Sequence, residues 1–152
     1  MSAYSYALTL LARRELTAFE LRERLLKKDI PEEAADEVVT RLRADGTLND
    51  RRAAVAIART HATVKARGRI RIEHELKARG VPPEIAREAI DEVFSDLSEP
   101  ELLERALRKR LRSGHIANQG QFRRLYSYLV RLGFPTQQVV ELLKKHMKVD
   151  VT

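Results

Sequence analysis

Three stretches of the chain repeat one order of apolar and polar positions: LLKKDIPEEAADEVV (25–39), LKARGVPPEIAREAI (76–90) and LVRLGFPTQQVVELL (129–143). Aligned on Pro31, Pro82 and Pro135, they recur after 51 and then 53 residues. Leu25, Leu76 and Leu129 stand six positions before the proline, and Leu21, Ile72 and Leu125 stand ten before it. Val39, Ile90 and Leu143 lie eight positions after it, and Ile30, Val81 and Phe134 directly precede it. Apolar residues at this spacing on both sides of the proline predict two amphipathic helices that bury facing stripes.

The joint between the two helices has its own chemistry. Gly80 and Gly133 can take the left-handed conformation that ends a helix, and a proline suits the first turn of the next one. The residue between them is pushed out of helical geometry because it precedes proline. Asp29 stands where the other two units have Gly. Thr17 and Glu20 form a T-x-x-E capping box, which predicts a helix running to about Lys28, and the next helix is expected to end at about Ala44, before Asp45 and Gly46. Each unit has room for a further helix ahead of the pattern, so nine helices are expected. Arg69-Ile70-Arg71-Ile72 alternates with the period of a strand, but Ile72 shares its register with Leu21 and Leu125, which makes it helical. The expected fold is all-α: an elongated array of three tandem three-helix repeats at 1–48, 49–98 and 99–152, curved by any small rotation between units. Gly46, Asp50, Gly68, Gly80, Pro82, Gly133 and Phe134 are expected to shape its joints.

Composition agrees with helices and narrows the surroundings. Apolar residues make up 43% of the 152 positions, and Gly and Pro number only 6 and 5, too few for long flexible linkers. The absence of Cys excludes disulfides, thiolate catalysis and Cys-based zinc sites and fits a reducing cytoplasm. Neither a secretory signal nor a membrane span is legible, so a soluble cytoplasmic protein is expected.

Charge is uneven along the chain. The net charge is +7. Residues 1–50 hold 8 basic and 10 acidic side chains, 51–100 hold 10 and 8, and 101–152 hold 11 and 4. Between 105 and 131 stand Arg105, Arg108, Lys109, Arg110, Arg112, Arg123, Arg124 and Arg131, with no carboxylate. A solvated helix face normally interleaves both signs, so this run points to a polyanionic partner. The basic residues best placed for one are Arg67, Arg69, Arg71, Lys77 and Arg79, then Arg108, Lys109, Arg112, Arg123, Arg124 and Arg131. Tyr126 and Tyr128 share the helix of the last three and could join a contact.

Catalytic chemistry finds no footing. His61, His74, His115 and His146 are separated by 13, 41 and 31 residues, none a helical metal-ligand spacing, so they read as solvated or partly packed. No P-loop, dinucleotide fingerprint or G-x-S-x-G elbow is present. The carboxylates suggest pairing along helices, as Glu23 with Lys27. Phe19, Phe94, Phe122 and Phe134 fall at apolar-periodic places and are expected in the core. The chain is expected to be a non-enzyme with no cofactor and no metal.

Four segments, LLARRELTAFELRERL (10–25), GTLNDRRAA (46–54), GRIRIEHELKARGV (68–81) and VRLGF (130–134), together resemble the RecX family of bacterial recombinase regulators. The match spans nearly the whole chain, and the order of its motifs carries it. Asp29, Ala53 and Leu132 depart from that pattern, standing for a Gly, an aromatic and an Arg. The resemblance implies a monomer that binds the RecA filament on single-stranded DNA in its helical groove. It also implies inhibition of ATP hydrolysis and strand exchange, by blocking filament growth or promoting disassembly. Two alternatives remain open: a helical protein that binds DNA alone, and an adaptor for an unrelated acidic protein.

Overall fold

The computed structural model describes residues 2–147. Among them are nine α-helices and no β-strand: α1 (Ala3–Arg13), α2 (Ala18–Lys27), α3 (Glu32–Ala44), α4 (Asp50–Thr63), α5 (Arg69–Ala78), α6 (Pro83–Asp96), α7 (Glu99–Arg110), α8 (Gln119–Arg131) and α9 (Thr136–Lys145). They form three successive triples. The alternating Arg69–Ile72 segment is the first turn of α5. Ile72 is fully buried while Ile70 is 45% exposed, as two residues on different faces of a helix must be.

Each triple turns between its second and third helices through the same hydrogen-bonded motif. Asp29, Gly80 and Gly133 all have positive φ, at 63°, 80° and 101°. The amides of Ile30, Val81 and Phe134 donate to the carbonyls of Leu25, Leu76 and Leu129, at 3.2, 3.0 and 3.4 Å, which closes a Schellman cap. The following Pro31, Pro82 and Pro135 take the N-cap position, with φ near −60° and extended ψ, so each third helix begins one residue later than expected. The recurring apolar positions are buried except Ile30, which is half-buried. A fully buried Leu, Ile or Phe contributes about 1.5–3 kcal/mol, so these positions carry much of the fold's stability.

The second helices of the triples meet end to start. The N-terminus of α2 rests on the C-terminus of α5, where the Thr17 hydroxyl donates to the Arg79 carbonyl at 2.6 Å. The N-terminus of α5 rests likewise on α8, where the Gly68 amide donates to the Leu132 carbonyl at 2.8 Å and the Ile70 amide to the Gly133 carbonyl at 3.1 Å. A carboxylate from the first residue of the next triple completes each contact. Asp50 of α4 accepts from the Ala18 amide at 2.7 Å, and Glu99 of α7 accepts from the Arg69 amide at 2.8 Å. At α5 the free amides of the helix start thus find acceptors at the helix end they face, whereas at α2 the Thr17 hydroxyl makes that bond and the free Ala18 amide turns to Asp50; in both, the positive end of one helix dipole meets the negative end of another.

Close approach explains which joints require Gly. A Cβ on Gly133 would collide with Arg71, one on Gly80 with the Phe19 side chain, and one on Gly68 would stand 2.6 Å from the Gly133 carbonyl carbon. At Asp29 no helix docks, and a short polar side chain is tolerated in the left-handed region. Gly46 has a φ of 80° and open space around it, so only its conformation matters.

Two cores result. One lies within α1–α3, around Leu16, Leu21, Leu25 and Leu42. The other runs without a break through α4–α9, from Ala54 to Leu143. In it α4 packs on α6 through the small side chains Ala54, Ala58, Ala86 and Ala89, all buried, which let the two backbones come close.

Two expectations fail here. Phe134 is fully buried and Phe94 and Phe122 are partly buried, but Phe19 is 50% exposed because it caps the backbone of Gly80 rather than facing a core. Glu23 and Lys27 are not within ion-pair distance. Pairs instead cross between elements, as Arg22 to Glu32 at 2.6 Å and to Asp36 at 2.7 Å, with Arg71 to Glu75 the one pair along a helix among the described residues.

Candidate functional site

The last turn of α7 carries Arg108, Lys109 and Arg110, which suits the negative end of a helix dipole. Beside it, α8 projects Arg124, Tyr128 and Arg131 at spacings of four and three residues, which place them on one face. Between these elements lies a groove of about 550 Å³, lined by Arg110, Gln121, Arg123, Arg124, Tyr128 and Arg131 among others, and by no carboxylate. The Arg110 guanidinium lies 4.0 Å from the centre of the Tyr128 ring, which fixes both side chains at the groove wall. Arg131 is steadied by its Nε, which donates to the Ser127 carbonyl at 3.3 Å.

The electrostatics of this groove differ from those of the rest of the surface. Among the described residues every ion pair uses a basic side chain between Arg22 and Arg79, and none uses one after residue 100. Exposed pairs of this kind contribute about 0–1 kcal/mol each to stability, but they cancel charge locally. Among the described residues, no ion pair cancels the basic side chains of α7 and α8. Arg108, Lys109, Arg112, Arg123, Arg124 and Arg131 are all exposed. Such a surface attracts an anion and gains by releasing the counterions that otherwise cover it.

The basic residues of the middle triple divide into two kinds. Arg69 binds Asp91 at 2.9 Å, lies 3.9 Å from Glu99 and stacks 5.2 Å over Phe94. Arg71 pairs with Glu75 at 3.4 Å and donates to the Arg131 carbonyl at 3.0 Å. Arg79 makes two bonds to Glu20, at 2.8 and 3.2 Å, and is only 25% exposed. These three arginines therefore hold the joints between triples. Arg67 and Lys77 have no carboxylate within ion-pair distance among the described residues. Of the joint-shaping residues, Asp50, Gly68, Gly80, Gly133 and Phe134 lie in or against these contacts. Arg110 belongs to the basic run but not to the residues expected to contact a partner; its role depends on the ring it meets 18 residues later.

His61, expected to be solvated or partly packed, is buried at 7% exposure, and its Nδ1 has no partner. Burial first, then the charge of Lys65, holds its imidazole below the usual value. Among the described residues no group of His, Asp or Glu side chains could hold a metal, and no helix is long and apolar enough to cross a membrane.

Comparison with known proteins fits this architecture. Residues 3–42 match the model of the first three-helix domain of RecX, and residues 49–90 match that of the second. A regulatory protein RecX of Trichlorobacter lovleyi is 33% identical over 147 residues, covering 93% of this chain and 94% of its own. The chain belongs to the RecX family. A second regulatory protein RecX, from Amycolatopsis mediterranei, is 32% identical over 140 residues, covering 91% of this chain and 79% of its own. A crystal structure of RecX from Lactobacillus salivarius shares the fold, with a TM-score of 0.78 at 23% identity over 94% of this chain and 95% of that one. The RecX relatives are named as regulatory proteins, not as enzymes, and this RecX-family chain keeps its strongest unpaired charge in α7–α8, beyond the two matched domains.

Proposed function

We propose that the protein regulates a RecA recombinase in the cytoplasm, as a monomer that binds the RecA filament on single-stranded DNA. It inhibits ATP hydrolysis and strand exchange by occupying the filament groove, which blocks extension or promotes disassembly. The observation that carries this reading is the α7–α8 groove, where four arginines face outward without a carboxylate on an array of helix triples. An array built from serial joints can lie along a helical partner, while its basic face meets acidic protein or DNA phosphate. Inhibition of this kind needs no active site. Binding one state of the filament more tightly than another is sufficient.

Titrating the protein into the DNA-dependent ATPase of the cognate RecA tests partner and activity together. Inhibition at micromolar concentration is expected, and its absence would count against the reading. Replacing Arg123 and Arg124 together with Glu is expected to weaken inhibition by about tenfold or more while leaving the thermal transition in place, because both side chains are exposed and unpaired. Binding to DNA alone is the competing outcome. It requires tight binding to a free oligonucleotide at physiological salt, with a steep salt slope of about −0.7 per phosphate contacted.

A further inference from the structure

A second basic groove, of about 340 Å³, lies between the first and second triples. Arg14 reaches it from the α1–α2 linker, Thr60 and His61 from the end of α4, Lys65 from the loop that follows and Arg79 from the end of α5. Two of its charged groups are already spent: Arg79 on Glu20, and Glu15 on Arg52 at 2.8 Å. Arg14 and Lys65 have no carboxylate within ion-pair distance among the described residues, nor has the adjacent Arg67. His61 lines the same groove with its Nδ1 buried and unpartnered, so a polar group has lost water there without gaining a bond.

The backbone is also arranged unusually at this point. After α4 the chain folds back over its last turn, with the Lys65 amide donating to the Thr60 carbonyl at 3.3 Å and the Arg67 amide to the His61 carbonyl at 2.9 Å. Ala66 makes this possible by adopting a φ of 55°, a left-handed conformation that a residue with a Cβ rarely takes. Lys65, four residues after His61, stays with it at the wall of the groove.

We propose that this groove binds a phosphate-class oxyanion, held by Arg14, Lys65, Thr60 and the imidazole of His61. Two unpaired cations match a dianion, and a tetrahedral group offers enough acceptor oxygens for donors arriving from three elements. The groups facing His61 are Lys65 and Arg67 from the loop, Glu75 and Arg79 from α5 and Arg14 and Glu15 from the linker, so cations outnumber carboxylates around it. A bound anion reverses that balance and favours the imidazolium. The phosphate could be free or the terminal phosphate of a nucleotide. This site lies apart from the α7–α8 groove, and its existence does not depend on the regulatory reading above.

The test is an NMR pH titration of the four histidines in the full-length protein, in chloride, in inorganic phosphate and in thymidine 5′-monophosphate at matched ionic strength. Phosphate is expected to raise the His61 midpoint by about one pH unit, equivalent to tenfold tighter binding by the imidazolium form. His74, on α5 and away from both grooves, serves as the internal reference and is expected to stay in place. The exposed substitutions Lys65→Ala and Arg14→Ala are expected to abolish the rise without unfolding the protein. An equal rise in both phosphate buffers identifies the free anion as sufficient, and a larger one in the monophosphate assigns the site to nucleotides. An unchanged His61 midpoint overturns the proposal, as does a rise that survives both substitutions.

Discussion

Where α2 meets α5 the contact is made largely by side chains, whereas where α5 meets α8 it is made by backbone. The first joint rests on the Thr17 hydroxyl, the Glu20–Arg79 pair and the Arg52–Glu15 pair, and the cores on its two sides are separate. The second joins the Gly68 and Ile70 amides directly to the Leu132 and Gly133 carbonyls, and one core runs through it. Both keep the carboxylate clamp, Asp50 in one and Glu99 in the other. Side chains span a gap that can widen, but two backbones in contact leave no slack. The first joint is thus built to yield, while the second fuses α4–α9 into one cooperative unit.

The most severe way to break this asymmetry is Gly133→Ala. The new Cβ meets Arg71 and the φ of 101° suits only Gly, so a loss of about 3–5 kcal/mol is expected in urea unfolding, from overpacking and left-handed strain together. The control is Asp29→Gly, at the equivalent joint with no docked helix, where a change below about 1 kcal/mol is expected.

A smaller effect sharpens the comparison. Glu99→Ala and Asp50→Ala each leave a helix-start amide without its acceptor, which costs about 1–3 kcal/mol. Their consequences for hydrogen exchange are expected to differ. Asp50→Ala should speed exchange in α1–α3 only, whereas Glu99→Ala should speed it throughout α4–α9. Uniform acceleration by both would show that the joints are equivalent after all.

The mildest test is pH. His61 lies in the groove at the first joint and titrates below its ordinary value near 6.5, so the unfolded chain binds its proton more readily than the folded one. The stability it confers is complete above that value and declines as pH falls from about 6.5 toward the lowered folded value. His61→Gln is expected to flatten this part of the pH profile in thermal melts.

Much of the fold was legible because the repeat is short-range. Helix stripes and the joints at Gly80 and Gly133 are local patterns of spacing and turn chemistry, and Leu25, Leu76 and Leu129 occupy one register in the structure as in the sequence. What depends on neighbours was not legible. Arg69, Arg71 and Arg79 look like any exposed cation in the sequence, and only the approach of Asp91, Glu75 and Glu20 assigns them to the joints. Phe19 fits the apolar period yet covers a glycine on another triple. The charge of α7–α8 was readable because an absence of carboxylates needs no folding to be seen, but the Arg110–Tyr128 stack does. His61 falls in the apolar period of α4, in step with Ala54, Ile57 and Ala58, and that position was the signal for its burial.

The one-way joint also governs how such a protein can grow. α5 carries both halves of it, a start that docks through Gly68 and an end that receives at Gly80. The joint after α2 has Asp29 in place of the receiving glycine, and α8 begins a turn earlier in the repeat than α5 and satisfies its own start through Asn118 and Gln121. Lengthening by the same joint therefore favours duplication of the middle triple over addition beyond either flank. Lineages that acquired extra triples in this way would carry copies of the Gly68 and Gly80 signatures in the interior of the sequence, as a chain gains links between its two clasps.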